Sequence, residues 1–307
     1  MTLAPAARLL DLPERRFPIR LDSGIPKIRE LFYTSTRNQW DPQTDVDWDA
    51  LDPDAFDDAH REAARMWWSR RGWGEYGAIS ESPSLIIRFV QDRLPTDMAL
   101  YFTIRTQEEA RHAEACYRMA ERLGGWITAP ADADFTQAIG THGVRKMALD
   151  PEVPVECTIA ALVCGLEEYA FDWFKLMVQT TTHPTPNKVL RLIMRDEVRH
   201  CAFGWHYLEH RLPQLSGDEI ERMRQAFIDI TEKVELTGYR VPWLAADSPM
   251  TAEENRIDRL TREAGLGASI EAEEKPVFVA CVQRVRTRFA DIGIAIPSFK
   301  HPRIGTF

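Results

Sequence analysis

Residues 108–112 read Glu108-Glu109-Ala110-Arg111-His112, and residues 196–200 read Asp196-Glu197-Val198-Arg199-His200. Each contains Glu-x-x-His. On a helix, residues three apart share one face about one turn along, so a carboxylate and an imidazole reach the same point. One such pair is unremarkable on a helix surface. Two pairs, each with an acid before the Glu and an Arg before the His, ask for helices that face each other across a shared ion.

The surrounding sequence supplies those helices. A helical pattern runs from about Asp54 to Gln91, with a break or kink expected near Ser82-Pro83. After the turn Asp92-Arg93-Leu94-Pro95, a second runs from Thr96 to Leu123 and stops at Gly124-Gly125. A loop follows to about Pro154. A third spans Val155 to Gln179, and the loop TTTHPTP leads into a fourth from Asn187 to Leu212. Alternating apolar strands with Asn-Gly or Asp-Gly turns are absent, so a sheet is not expected. Two hairpins joined by a longer crossover predict an all-α, four-helix bundle over residues 53–212. Residues 1–52, with Pro5, Pro13, Pro18, Pro26 and Pro42, read as an irregular arm. From 213 onward, helices are expected to pack on the bundle within a single domain. Ser216 and Glu219 form a capping box for one running to about Tyr239, and amphipathic segments near 251–264 and 271–291 follow. The tail IPSFKHPRIGTF reads as irregular.

A bundle metal site needs one further carboxylate from each partner helix. In the third helix, Ala160, Val163, Glu167, Ala170 and Phe174 form an apolar stripe interrupted by one acid, whereas Glu168, Asp172, Lys175 and Gln179 form a polar stripe read as solvated. A buried carboxylate is costly without a partner, and a metal is one, so Glu167 is chosen. Glu197 lies roughly 15 Å into its helix at 1.5 Å per residue, and the same distance back along the third helix arrives near 167–169. In the first helix the position mirroring Glu109 falls near 79. That favours Glu81, with Glu75 two turns away as the other acid. The predicted ligands are Glu81, Glu109, His112, Glu167, Glu197 and His200. Oxygen and nitrogen donors without sulfur suit iron or manganese better than structural zinc. Arg105, one turn before Glu109, reads as an ion-pair partner or a substrate anchor. Gly204 reads either as an opening above the metals or as a close helix contact.

Composition narrows the partners. The 307 residues carry 38 basic and 47 acidic side chains, net −9, which disfavours nucleic acid and anionic membranes. The longest apolar run, Ile159–Leu166, is far short of the ~20 residues of a span. Asp11 and Glu14 stand where a signal peptide would be apolar, which reads as a cytoplasmic protein. Five cysteines with no C-x-x-C pair argue against a disulfide scaffold or zinc knuckle.

At the two D/E-E-x-R-H motifs, over about residues 60–212, the chain resembles the ferritin-like di-iron carboxylate proteins. It looks most like the hydroxylase subunits of bacterial multicomponent monooxygenases and the small di-iron oxygenases of biosynthetic pathways. Tyr76-Gly77-Ala78-Ile79 is similar to the toluene-monooxygenase type. The resemblance implies a non-haem di-iron monooxygenase holding two Fe ions, or a Mn/Fe pair. Dioxygen would be co-substrate, acting through a peroxo-di-iron intermediate on a small organic molecule. It implies that Asp196 orients His112 and Glu108 orients His200. Phe102, Thr106, Phe171 and Ile193 are expected to line the substrate pocket. No flavin or nicotinamide fingerprint is present, so electrons would come from a ferredoxin or reductase; a homodimer is allowed. Cys116, not Tyr, stands one turn past His112, unlike a radical-generating ribonucleotide reductase subunit. Ile193 stands where aryl-amine N-oxygenases carry a further His, and Phe171 where multicomponent hydroxylases carry Thr. The rivals are an N-oxygenase-type biosynthetic enzyme, a ferroxidase or iron-storage protein, and a metal-free helical interaction protein. A cage-forming ferroxidase is disfavoured by the long arm and the residues beyond 212.

Overall fold

The computed structural model describes residues 21–130 and 144–307. Residues 1–20 of the expected arm and 131–143 of the expected crossover loop lie outside them. Among the described residues the chain is all-α apart from one two-residue hairpin, and no helix is long and apolar enough to cross a membrane.

The first bundle helix, α2 (Asp58–Gln91), follows α1 (Pro26–Arg37). The Asp57 carboxylate caps it by accepting from the His60 amide. The expected break at Pro83 does not occur. A proline removes one amide donor. Here the Ser84 hydroxyl donates to the Ser80 carbonyl at 2.9 Å, and α2 stays packed along α3 (Thr96–Arg122) through the proline. Gly124 and Gly125, at φ +124° and +114°, end α3 in a conformation that side chains disfavour.

The crossover carries α4 (Val144–Leu149). The third bundle helix has three parts: α5 (Val155–Thr158), a π-helical stretch Ile159–Leu166, and α6 (Glu167–Thr180). The π stretch was not foreseen; apolar periodicity does not distinguish a widened turn from an α turn. It is buried throughout and delivers the chain to Glu167. Pro184 opens the fourth, α7 (Pro184–Arg211), where the fixed φ of proline suits the first turn.

Beyond the bundle, Ser216 and Glu219 form the expected capping box of α8 (Gly217–Lys233). Then come α9 (Pro249–Glu263), packed on α2, and α10 (Glu271–Asp291), packed on α6. Two expectations are corrected at the ends. The arm contains α1, which packs on α3 and α7. The tail closes in an antiparallel hairpin of β1 (Lys300–His301) and β2 (Gly305–Thr306), with Lys300 opposite Thr306.

The cover provided by α10 also corrects the reading of Glu168, which is 2% exposed. It accepts from Trp205 Nε1, Arg284 Nη2 (2.8 Å) and Arg288 Nη1 (2.8 Å). At Glu168 and Asp172 the polar stripe faces α10, whereas Lys175 and Gln179 further along it are exposed.

Candidate metal centre

Both Glu-x-x-His pairs are buried at mid-helix on α3 and α7, with their side chains meeting between them. Ligand atoms of Glu75, Glu109, His112 and Glu197 lie within 4.8 Å of one another, and so do those of Glu109, Glu167 and His200. The two groups share Glu109. His112 Nδ1 is 3.5 Å from Glu109, 3.5 Å from Glu197 and 3.7 Å from Glu75. It is buried and has no hydrogen-bond partner. Three carboxylate oxygens just beyond hydrogen-bond distance of an orphaned imidazole nitrogen leave room for a shared ion. His200 Nδ1 is 3.0 Å from Glu197, 3.4 Å from Glu109 and 3.8 Å from Glu167. These donors fit a two-ion centre of oxygen and nitrogen ligands.

On the first helix, the acid that joins the group around His112 is Glu75, not the Glu81 favoured by spacing. Reflected through the middle of the turn between Gln91 and Thr96, Glu75 stands level with His112, and Glu81 stands level with Thr106, beside Arg105. Counting along the hairpin placed both acids within a turn of Glu109 and did not carry the rotation that separates them. Glu81 remains buried at the edge of the centre.

Charge inside this shell is balanced by two guanidinium groups. Arg71 binds Glu75 through Nε at 2.8 Å. Arg105 pairs with Glu109 at 2.9 Å, contacts Glu167, and donates to the Ser82 hydroxyl at 2.6 Å. Burial raises the Glu75 carboxyl, but Arg71 and His112 outweigh it and hold it at about 2. Burial, opposed by Arg105, pushes Glu81 up to about 8. Burial and then Glu167 push Glu197 up to about 8. Burial disfavours the charged imidazole, yet the surrounding carboxylates hold both His112 and His200 above their ordinary range. Metal binding at Nδ1 therefore displaces a proton.

The far side of each imidazole is fixed by an acid on the opposite helix. His112 Nε2 is 3.3 Å from Asp196, and His200 Nε2 is 2.9 Å from Glu108. Arg199 bridges these acids, donating to Glu108 at 2.6 Å and to Asp196, while its Nε reaches the Ser35 hydroxyl of α1 at 2.8 Å. Trp40 Nε1 also donates to Asp196, at 2.8 Å. Ser35, Trp40 and Arg71 were not picked out as site residues. The contacts of Ser35 and Trp40 are long-range in sequence, and no local spacing marks them, whereas Arg71 sits four residues before Glu75, a helical spacing that points to it once Glu75 is chosen.

The four residues expected to line a substrate pocket lie elsewhere than the cavity at the acids. Phe102 is packed against Phe89, Tyr101 and Phe203, with ring centroids 4.7–5.9 Å apart. Ile193 is buried in the same apolar core, Phe171 is half-buried, and the Thr106 hydroxyl donates to the Phe102 carbonyl. None of the four lines the cavity at the acids. That cavity, of about 70 Å³, lies between α2 and the third helix. Gly74, Ala78, Leu162, Leu166, Ala170 and Tyr239 line it beside the acids. Aromatic rings fill the expected place, whereas small side chains leave space here.

No family model matches the sequence, and no curated protein matches it. Solved structures do. The chain is similar to a variant of R2-like ligand-binding oxidase with an aerobically reconstituted Mn/Fe cofactor, at TM-score 0.63 and 17% identity, covering 88% of this chain and 94% of that one. It is similar to R2-like ligand-binding oxidase after photoconversion of its reconstituted metal cofactor, at TM-score 0.64 and 16% identity, covering 85% and 92%. At such identity the likeness shows the fold, which is ferritin-like. On that fold, the buried carboxylate and histidine cluster fits a di-metal site.

Proposed function

We propose that the protein is a di-metal oxidoreductase that uses dioxygen to oxidise a small organic molecule. The observation that carries this is the orphaned Nδ1 of His112 among three carboxylates, with His200 set in a matching group that shares Glu109. Glu75 and His112 would hold one ion and Glu167 and His200 the other, with Glu109 in both groups and Glu197 beside both imidazoles. Held there, the pair would supply the electrons that dioxygen takes up, and an external ferredoxin or reductase would replace them. Two irons are the first choice, and a Mn/Fe pair is the second, favoured by the Mn/Fe cofactors of the similar oxidases.

The chain's own groups have definite tasks in this reading. Asp196 and Glu108 fix the imidazoles, so that each offers Nδ1 inward. Gly74, Ala78 and Ala170 keep room for substrate beside the acids. Leu162 and Leu166 keep that room apolar and limit water. In the metal-free protein burial pushes the Glu81 carboxyl up to about 8, and Glu81 stands at the cavity wall, where it would hand on a proton.

The test is a metal count. Protein loaded anaerobically with ferrous iron and desalted is expected to hold about two ions per chain. Glu75→Gln is expected to lower the count to about one, and Glu81→Gln to leave it at about two. Loading with mixed Mn and Fe separates the two metal pairs. A wild-type count near zero would overturn the reading.

A further inference from the structure

Glu109 divides its two oxygens between the two histidines, and one of them is already engaged. Oε2 lies 3.5 Å from His112 Nδ1. Oε1 lies 3.4 Å from His200 Nδ1 and also 2.9 Å from Arg105 Nη2. The same Nη2 contacts Oε1 of Glu167. One guanidinium nitrogen thus bridges the two carboxylates that, with His200, make up the second ligand group.

The first group is arranged differently. Arg71 binds Glu75 through Oε1, and Oε2 is the oxygen that faces His112. The Glu109 oxygen on that side is the one that Arg105 does not hold. In the first group the guanidinium charge stands behind a ligand oxygen. In the second it stands on one, because Glu109 has only Oε1 to offer towards His200.

Arg105 has no solvent to retreat into. Its side chain is 1% exposed, and its guanidinium carbon lies 5.7 Å from the Phe102 ring centroid, beside the aromatic core. A dication arriving there meets a like charge in a buried place, where Coulomb forces are little screened. Another partner is close by. Nη1 donates to the Ser82 hydroxyl at 2.6 Å, and Glu81 precedes Ser82 on α2. Among the charges around Glu81, Arg105 acts on it most strongly. Glu81 is buried and belongs to neither ligand group, so it can take the guanidinium without giving up an ion.

We propose that Arg105 makes the two metal positions unequal: the Glu75–His112 position fills first, and the Glu167–His200 position fills only as Arg105 is displaced from Glu109 and Glu167 towards Glu81. This rests on the di-metal reading above and adds how the centre regulates its own loading. Until the second ion arrives, the guanidinium supplies the counter-charge that the buried Glu109 and Glu167 need. Arg105 is then a partner of the ligand carboxylates and not an anchor for substrate.

The test is anaerobic calorimetric titration of the metal-free protein with ferrous iron, read as binding steps. The wild type is expected to show two steps at least about tenfold apart in affinity. Glu75→Gln should remove the tighter step and keep the weaker. Arg105→Met removes the charge and keeps the bulk. It should tighten the weaker step at least about tenfold and leave the tighter one nearly unchanged. A residue that only propped up the ligands would give the opposite sign, since its loss would weaken both steps. Arg105→Lys keeps the charge and should keep the steps apart. Removing one partner of a buried ion pair can prevent folding, so Glu81→Gln gives an independent reading. It takes away the guanidinium's other partner, and the weaker step should weaken severalfold while the tighter one stays. Two equal steps in the wild type, weakening of both steps in folded Arg105→Met, or a weaker step that Glu81→Gln leaves unchanged would overturn the proposal and leave the di-metal reading standing. No binding at all would sink both.

Discussion

The Trp40 indole donates a 2.8 Å hydrogen bond to Asp196 Oδ2, the oxygen that also lies 3.3 Å from His112 Nε2. The arm before the bundle thus reaches the outer side of the metal centre. Burial raises the Asp196 carboxyl, but His112, Trp40 and Arg199 together hold it well below its usual range. A charged Asp196 keeps a proton on His112 Nε2 and leaves Nδ1 for the ion. Asp196→Asn removes that preference, and partners of this kind are typically worth about 10–100-fold in metal affinity. Trp40→Phe leaves Asp196 its bond to Arg199, so its effect is expected to be smaller, about threefold. Anaerobic competition for ferrous iron against a chelator measures both. Unchanged affinity in a folded Asp196→Asn protein would remove Asp196 from the role.

Much of the metal centre was legible because helices translate spacing into position. Glu109 with His112 and Glu197 with His200 needed only the three-residue interval. Glu167 followed from a single acid in an apolar stripe. Glu81 was preferred to Glu75 because hairpin counting gives height along the bundle but not rotation about a helix. Glu168 was misread because periodicity shows a polar face without showing what covers it; α10, over a hundred residues later, supplies Arg284 and Arg288. Trp40 and Tyr239 belong to segments outside the bundle, where no period constrains them. The cavity lies where small residues from α2 and the third helix happen to meet, and only packing in three dimensions reveals that.

The metal-free protein is expected to lose stability as pH rises from about 6 to 8.5. Burial pushes Glu81 up to about 8 from an ordinary 4.5, and Asp258 up to about 7 from 3.8. The folded chain then holds protons that the unfolded chain has released. Stability from these groups is fully present below their ordinary values and is lost as pH passes through about 7 and 8. His112 and His200, raised above 6.5, act with the same sign. Glu75, held at about 2, acts oppositely, but its contribution is lost only as pH falls through about 2, outside this window. Thermal unfolding in the presence of a chelator should show a falling midpoint across this range. Glu81→Gln with Asp258→Asn should make the fall shallower, leaving the share that Glu197, pushed up to about 8, and the two histidines contribute. A midpoint that rises with pH would contradict the assignment.

Gly204 of α7 tests whether the π-helical stretch positions Glu167. A Cβ at 204 would stand 2.8 Å from Val163 Cγ1 and 2.9 Å from Cys164 Sγ, so close helix contact, not an opening above the metals, accounts for this glycine. Both neighbours belong to the π stretch, and Glu167 follows three residues after Cys164. Gly204→Ala must therefore push the widened turns away from α7 or strain their side chains. Overpacking of this kind costs about 1–3 kcal/mol. Gly217→Ala is the control, because a Cβ there meets nothing within 4 Å and the residue opens the exposed first turn of α8. Thermal unfolding should show Gly204→Ala destabilised and Gly217→Ala unchanged or slightly stabilised. Metal titration should add a second difference: the displaced π stretch carries Glu167 with it, so the ion held by Glu167 and His200 should weaken before the ion held by Glu75 and His112. Equal weakening of both, or of neither, in a destabilised Gly204→Ala protein would mean that the π stretch fills space without positioning Glu167.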